Sequence, residues 1–281
     1  MNNFVVTLQC NDVPGIVHAT SAAIVAVEGN ILENDQFTDP VTNQFCMRTR
    51  FETLNDQKAV RNQLEVDLKR FSPTLGVRRD DAHHRALVMV STFDHCVAEL
   101  LYRHEQGDLP LDIVAIVGNH ADCAPLAERY HVPFHEIPVT VDTKDAAEAA
   151  LRNFLSAYNV DFVVLARYMQ ILSPTFCADF SGRIINIHHS FLPGFKGARP
   201  YRQAYERGVK LIGATAHFVT SDLDEGPIIE QDVVRVSHAR SPKDLASLGR
   251  DIERSVLARA VKLVAEDRVA LVGNRTVVFS Q

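Results

Sequence analysis

The chain has 281 residues, of which 46% are hydrophobic and 23% are charged, and its formal net charge at pH 7 is −6. The apolar content excludes a disordered chain, and 13 Gly with 12 Pro, placed without a period, exclude a collagen-like or low-complexity chain. The negative charge argues against nonspecific binding to nucleic acid or to an acidic membrane, because both need a basic surface.

The sequence shows no sign of export or membrane insertion. No run approaches the ~18 apolar residues that span a bilayer, and residues 1–15 lack the basic and apolar regions of a secretory signal. The five cysteines are odd in number and include no C-x-x-C pair, so we expect free thiols and no metal site. These observations predict a cytoplasmic protein.

Residues 1–79 are predicted to form a small domain of their own. Runs with strand composition alternate with runs in which apolar residues recur at helical spacing. In chain order they predict a strand, a helix, two paired strands, a helix and a strand, at 5–9, 16–27, 31–38, 43–52, 55–71 and 75–77. The order βαββαβ is the ferredoxin-like pattern of two helices on one antiparallel sheet.

Residues 80–84 are polar and aperiodic, which predicts a linker before a second domain over 85–281. The apolar run at 86–90 is typical of a strand that is buried on both faces. Helices and strands then alternate, with helices at 94–104, 125–131 and 144–157 and strands at 113–117, 134–137 and 162–165. This alternation predicts a Rossmann-like, mostly parallel α/β sheet, whose ligands bind beyond the carboxyl ends of its strands.

The first of these strand ends lacks a phosphate-binding loop. The segment after 86–90 reads S-T-F-D-H-C, with neither G-x-G-x-x-G nor G-x-x-x-x-G-K-[ST]. We therefore expect no dinucleotide and no nucleotide phosphate at this position.

Asn186 and His188 follow in a segment that is predicted to be extended, where alternate residues point to the same face. The amide of Asn186 can donate a hydrogen bond to a developing oxyanion, and the imidazole of His188 can move a proton. The pair indicates chemistry at a carbonyl group, but a polar strand end that merely faces water has the same pattern.

An acidic turn follows the next predicted strand and holds Asp222, Asp224 and Glu225 before Gly226-Pro227. Three carboxylates in four positions are common in a solvated turn. A carboxylate placed beside the imidazole would instead favour the protonated form of the ring and make it a proton donor near neutral pH. The residues alone leave both interpretations open.

Together these segments resemble the folate-dependent formyltransferase family. The resemblance rests on N-I-H at 186–188, L-P at 192–193 and L-D-E-G-P at 223–227, with the family's own spacing between them. The segments 212–220 and 274–276 match as well, so the resemblance covers residues 85–281. It implies a formyltransferase-fold catalytic domain with Asn186, His188 and Asp224 as the catalytic residues.

Residues 1–79 are similar to an ACT domain, a regulatory module that binds small molecules. An ACT-like domain before a formyltransferase domain is the arrangement of the formyltetrahydrofolate deformylases, which hydrolyse 10-formyltetrahydrofolate to tetrahydrofolate and formate. The resemblance implies a cytoplasmic hydrolase that supplies formate and balances one-carbon pools for purine biosynthesis. It implies no metal and no bound cofactor, because the folate is itself the substrate.

The resemblance also implies partners. An ACT-like domain suggests an amino-acid effector and a homo-oligomer that pairs through these domains. Our candidate effector site is the turn that contains Asp12 and Gly15, although a plain β-to-α turn has the same sequence features. No nucleic acid and no membrane is expected as a partner.

By position in the family, two segments should line the folate pocket, and His217 should support the catalytic residues from the same region. The implied folate-binding residues are Tyr168, Met169, Ile171, Leu172, Val219, Thr220, Ser221, Asp222 and Leu223. Ordinary core packing is the alternative for Met169, Ile171 and Leu172, and a satisfied core histidine is the alternative for His217. A basic group at Lys196, Arg199 and Arg202 fits either a solvated loop or an anion site.

Two other functions remain compatible with the sequence at this point. The first is a folate-dependent formyltransferase with an amine acceptor, which the ACT-like domain and the missing phosphate loop disfavour. The second is a sensor without activity, which the intact catalytic residues disfavour. Which group deprotonates the attacking water is not decided by the sequence.

Overall fold

The computed structural model describes residues 1–194 and 200–279, and the contacts among them divide the chain into two compact units. One unit comprises Met1–His83 together with the chain from Glu266 onward, and the other comprises His84–Ala265. The sequence prediction had placed all of 85–281 in one domain. The C-terminal residues instead pack within the first unit, and the predicted regulatory and catalytic roles of the domains stay predictions.

The first unit has the predicted order βαββαβ. Its elements are β1 (Asn2–Asn11), α1 (Ile16–Ala26), β2 (Asn30–Asp39), β3 (Gln44–Thr53), α2 (Gln57–Leu68) and β4 (Thr74–Arg79). The strands form an antiparallel sheet in the order β2-β3-β1-β4. One face of the sheet and the two helices bury a common apolar core around Phe4, Phe51 and Leu64. The ferredoxin-like prediction is confirmed.

A C-terminal hairpin of β12 (Val269–Val272) and β13 (Arg275–Val278) belongs to the same unit. Val272 and Phe279 are buried against Cys46, which points to the sheet face opposite the helices because its neighbours in β3 belong to the helix-covered core. The Gln9 side chain also donates to the Leu271 carbonyl at 2.7 Å. The hairpin therefore covers the second face of the four-stranded sheet.

The second unit is an α/β fold. Its elements are β5 (His84–Val90), α3 (His95–Glu105), β6 (Leu111–Gly118), α4 (Ala124–Arg129), β7 (Phe134–Glu136), α5 (Lys144–Ala157), β8 (Phe162–Leu165), α6 (Pro174–Asp179), β9 (Ile184–His188), α7 (Pro200–Glu206), β10 (Leu211–Phe218), β11 (Ile228–Arg235) and α8 (Pro242–Ala265). Across the described residues, the strands form one sheet in the order β11-β10-β9-β8-β5-β6-β7. The five strands from β9 to β7 pair in parallel, and only β10 runs the other way, because it pairs antiparallel with both β9 and β11. The mostly parallel prediction is confirmed.

The strand order places the ligand site. The chain runs from β5 to β6 and β7 on one side, and then returns to β8 and β9 on the other side of β5. The connection after β5 leads to β6 on one side, and the connection after β8 leads to β9 on the other side. Where two neighbouring strands have connections in opposite directions, a crevice opens beyond their carboxyl ends. The segments that follow β5, β8 and β9 therefore meet at one edge of the sheet.

No helix in the described ranges combines the length and the apolar character that crossing a membrane requires.

The hairpin's packing can be tested by the substitution Phe279→Ala. Removing a buried ring leaves a cavity beside Cys46, so we expect the free energy of unfolding of the first unit to fall by about 3 kcal/mol. Hydrogen exchange should accelerate at amides of β3 and stay unchanged at amides of β8. Val278→Ala, at the exposed neighbouring position, is the matched control. Equal exchange in the two variants would contradict this packing.

Candidate active site

A cavity of about 620 Å³ lies beyond the carboxyl ends of β5, β8 and β9, within the second unit. Its lining includes every predicted catalytic and folate-binding residue, together with His217: Tyr168, Met169, Ile171, Leu172, Asn186, His188, Val219, Thr220, Ser221, Asp222, Leu223 and Asp224. The fold therefore gathers into one cavity side chains that lie more than fifty positions apart in the sequence. Their chemical roles remain predictions.

His188 and Asp224 form a buried pair at the centre of this lining. His188 is the last residue of β9, and its Nδ1 lies 3.2 Å from Oδ1 of Asp224. Both side chains are mostly buried, and no residue that the structure describes pairs with His188 Nε2. A buried ring nitrogen without a partner is a group that awaits a ligand or a water.

Asp224 is ionised in this setting. Burial opposes its ionisation, but the hydrogen bond to His188 and the nearby imidazoles of His188, His217 and His189 outweigh that effect and lower the pKa of Asp224. Its backbone adopts φ +58°, a left-handed conformation that Asp tolerates better than most residues. The carboxylate is thus held in place for the ring.

Asn186 is oriented by His217. Nδ1 of His217 lies 2.8 Å from the carbonyl oxygen of Phe218, and because that oxygen only accepts, Nδ1 carries the proton. Nε2 therefore accepts from the Asn186 amide nitrogen at 3.3 Å. Burial, the largest cause, lowers the pKa of His217 and so keeps this ring neutral. The amide group of Asn186 consequently has its nitrogen fixed and one N–H left for the cavity.

The turn that carries Asp224 depends on Gly226. Phe218 donates its N–H to the Pro227 carbonyl at 2.8 Å, which brings the turn against the end of β10. A Cβ on Gly226 would lie 1.7 Å from the Phe218 oxygen, so only glycine allows this approach. Close packing of the turn against the end of β10 therefore explains the Gly-Pro pair of the sequence motif.

The loop between β8 and α6 is anchored at both ends. The Met169 N–H donates to Ser91 Oγ at 2.9 Å, and Ser91 donates in turn to Asn119 Oδ1 at 2.6 Å. At the far end, buried Glu148 accepts from the Ser173 N–H at 2.7 Å. The sequence analysis missed Ser91, Asn119 and Glu148, although the first two directly follow β5 and β6.

Within this loop, side chains divide between core and cavity. Tyr168 and Leu172 belong to the apolar core of the unit, as the packing alternative would have it. Met169 and Ile171 are 54% and 62% exposed and line the cavity. Exposed apolar side chains in a concave site are what a flat aromatic ligand contacts. These two residues are the strongest candidates for folate contact.

A second cluster, which the sequence analysis also missed, surrounds Glu253 of α8. This carboxylate is buried and contacts His95 Nε2 at 2.9 Å, Arg167 Nε at 3.4 Å and the hydroxyl of Tyr201. All four residues line the cavity. Burial opposes ionisation of Glu253, but its hydrogen bond to His95, the Arg167 charge and the Tyr201 hydrogen bond together lower its pKa. Only the fold could bring these four together, because they lie on three helices and a loop.

Among the residues that the structure describes, His95, Cys96 and Glu253 place ligand atoms within 4.8 Å of one another, close enough for one metal ion. Burial raises the pKa of Cys96 well above its usual value, so the group is a thiol and a poor ligand. The Arg167 guanidinium already compensates the Glu253 charge. The chemistry of this set does not favour a metal.

His189 completes the lining beside His188, with the two ring centroids 5.2 Å apart. Burial is the main cause that lowers the pKa of His189 to about 4, and the Arg167 charge adds to it. This ring is neutral at physiological pH. The sequence analysis did not single it out.

The remaining predicted features lie elsewhere. The Asp12 N–H donates to the Asn43 carbonyl at 2.9 Å, and Gly15 has φ +97° before α1. These contacts describe a β-to-α turn, and its role as an effector site stays a prediction. Lys196 and Arg199 lie outside the described residues, and Arg202 pairs with Glu206 at 2.9 Å. The Leu192–Pro193 peptide bond is cis.

Comparison with known proteins gives consistent matches. Residues 84–261 match the formyl transferase family model. A formyltetrahydrofolate deformylase of Corynebacterium sp. (strain P-1) is 46% identical over 98% of this chain and 97% of that protein. The crystal structure of the formyltetrahydrofolate deformylase of Burkholderia mallei is 47% identical, with a TM-score of 0.96 over the whole of both chains. A glycinamide ribonucleotide transformylase 1 of Symbiobacterium toebii covers only 70% of this chain, and 94% of its own, with 34% identity and a TM-score of 0.66.

The neutral state of His189 has a measurable consequence for stability. The unfolded chain binds a proton near pH 6.5 and the folded chain only near pH 4, so stability is lost as the pH falls through this window. When the pH falls from 7 to 5, we expect the free energy of unfolding to decrease by about 2 kcal/mol more in the native chain than in His189→Gln. Urea unfolding of both proteins at the two pH values measures the difference. Equal losses would show that His189 titrates normally.

Proposed function

The chain belongs to the formyl transferase family, among the formyltetrahydrofolate deformylases, and we propose that it hydrolyses 10-formyltetrahydrofolate to tetrahydrofolate and formate. The observation that carries the proposal is that one cavity is lined both by Asn186, His188 and Asp224 and by exposed apolar side chains. The polar residues of this lining can act on a carbonyl group, and its apolar side chains can bind a flat heterocycle.

Charge on the formyl oxygen is the first barrier to hydrolysis. Attack by water converts the planar formamide into a tetrahedral intermediate with an oxyanion. The Asn186 amide, oriented by His217, supplies one N–H donor, and protonated His188 supplies a second from Nε2. Donors that are fixed in advance in a buried site stabilise such an oxyanion strongly.

The leaving nitrogen is the second barrier. An arylamine is a poor anion, so it must receive a proton as the C–N bond breaks. Protonated His188 is placed to supply that proton, and the Asp224 carboxylate 3.2 Å from Nδ1 stabilises the charged ring until then. Asp224 therefore acts through His188, and it also helps to orient the attacking water.

The two loops provide substrate binding. The segment 168–172 offers Met169 and Ile171 as apolar surface, and the segment 219–223 offers backbone groups and Leu223 from the other wall. The pteridine ring binds between them, with the formyl group directed at His188. Because the substrate carries its own reactive carbon, the reaction needs no bound cofactor.

The first unit is the regulatory part of this proposal. Its ferredoxin-like sheet is the framework of an ACT domain, for which we propose an amino-acid effector and association into a homo-oligomer. The turn at Asp12 and Gly15 is the candidate effector site. A cytoplasmic location and a place in one-carbon metabolism fit the proposed substrate.

Turnover without an acceptor tests the activity. The chain should release formate and tetrahydrofolate in equal amounts from 10-formyltetrahydrofolate with no amine added, whereas a transferase needs an acceptor. His188→Ala removes an oxyanion donor and should lower kcat by at least about 10²-fold. Asn186→Ala and Asp224→Ala should each lose most activity as well. The exposed position in His238→Ala is the matched control. Near-normal turnover by folded His188→Ala would refute the mechanism.

Substrate contact at the loop is tested by Met169→Ala. This side chain is exposed, so its loss should leave stability unchanged, but it removes apolar contact worth about 1 kcal/mol and should raise KM about fivefold. We expect kcat to stay the same, because the contact is made equally in ground and transition states. Val66→Ala, exposed in α2, is the control. An unchanged KM would place the pteridine elsewhere.

A further inference from the structure

His189 is placed beside the reacting group by a bend of the chain. Strand β9 ends at His188, and the bend that follows allows the next ring to line the same cavity. The ring centroids of His188 and His189 are 5.2 Å apart, and the ring centroid of Tyr201 lies 6.1 Å from that of His189. His189 thus joins the catalytic pair to the cluster around Glu253.

The other titratable groups near His188 already have hydrogen-bond partners. Oδ1 of Asp224 is engaged by His188, and both ring nitrogens of His217 are used by Phe218 and Asn186. Glu253 accepts from His95 and Tyr201 and faces Arg167. No contact among the described residues occupies a ring nitrogen of His189, which leaves a lone pair and an N–H for a water.

We propose that His189 binds the hydrolytic water and accepts its proton as the water attacks the formyl carbon. The inference rests on the proposed function and assigns the proton acceptor that this function requires. The water oxygen forms a bond to the formyl carbon, and its proton moves to the free ring nitrogen of His189. The carbonyl π electrons move to the formyl oxygen, which Asn186 and His188 stabilise.

The step is completed without any further reactant. The intermediate expels the arylamine nitrogen, which takes the C–N electron pair and receives a proton from His188. Formic acid remains and loses its proton to water, and the proton on His189 returns His188 to its charged state through solvent. One water is consumed, and one formate, one proton and one amine are released.

The surroundings of His189 suit a base better than those of Asp224. The charged and titratable groups that act on it or contact it come from several elements: His188 on β9, Arg167 after β8, Glu253 on α8, Tyr201 on α7 and Asp224 in the β10–β11 loop. His95 on α3 lines the same cavity and pairs with Glu253. Burial and Arg167 lower the pKa of His189 to about 4, so the ring is neutral before the water attacks. Oδ1 of Asp224 is committed to His188, whereas no contact among the described residues occupies a ring nitrogen of His189, so this geometry leaves His189 available to the water.

The test compares His189→Gln and His189→Ala with His104→Gln. Loss of a general base should lower kcat about 10²–10⁴-fold in both His189 variants, with little change in KM. His104 also has a buried ring nitrogen without a partner among the described residues but does not line the cavity, so it is the matched control. We expect His104→Gln to retain kcat within a few-fold of the native chain.

Added imidazole separates a base from a structural residue. In His189→Ala, imidazole should restore formate release in proportion to its concentration. Relative to the native kcat at the same pH, which depends on His188 in the same way, the restored rate should rise with pH through the range in which imidazole itself loses its proton, about pH 7, because His189 is already neutral there. His188→Ala should gain nothing, because it lacks the oxyanion donor.

Three outcomes would overturn the inference. His189→Gln with kcat within threefold of native would exclude a base at this position. A loss of kcat that imidazole does not restore in folded His189→Ala would assign the residue a structural role. An equal loss in His104→Gln would show that the effect is not specific to His189. If the native chain itself releases no formate without an acceptor, the proposed function fails, and this inference fails with it.

Discussion

The site depends on one buried contact, between Nδ1 of His188 and Oδ1 of Asp224 at 3.2 Å. A carboxylate in a largely apolar cavity is costly unless a donor meets it, and an imidazole in the same place needs a fixed orientation to present its other nitrogen. Each partner satisfies the need of the other. Two features of the backbone bring these groups together: β10 pairs antiparallel with β9, and Asp224 follows β10 in a left-handed turn.

Further hydrogen bonds around this contact fix the orientation of the neighbouring groups that line the cavity. His217 lies opposite Asn186 in the β9–β10 ladder and fixes the amide group that faces the cavity. Ser91, Asn119 and Glu148 anchor the loop whose exposed apolar side chains form the other wall. Buried polar groups are costly when unpaired, so each of these contacts also stabilises the fold. Stability and site geometry are therefore maintained by the same hydrogen bonds.

The sequence analysis succeeded where local pattern carries the information and failed where contacts are long-range. Periodicity and turn residues predicted the order of elements in the first unit and in the second unit through β8. The alternation rule predicted that Asn186 and His188 point to the same face. Arg167 and Glu253 are 86 positions apart and show no local pattern. The C-terminal hairpin likewise gives no sequence signal that it packs beneath Cys46 in the first unit, because a short strand pair fits either unit.

The sequence by itself determined the class of fold, the two-part organisation and the three residues on which the proposed chemistry depends, since each follows from periodicity, spacing or family resemblance. Tertiary structure alone decided which nitrogen of each imidazole has a hydrogen-bond partner and which loop side chains face the cavity. It also decided which buried groups lie close enough to interact through their charges. Those properties depend on distances of 3 to 4 Å between residues that are remote in the chain, and burial then sets their protonation. A linear pattern carries no such distance, and for that reason the part played by His189 emerged only from the fold.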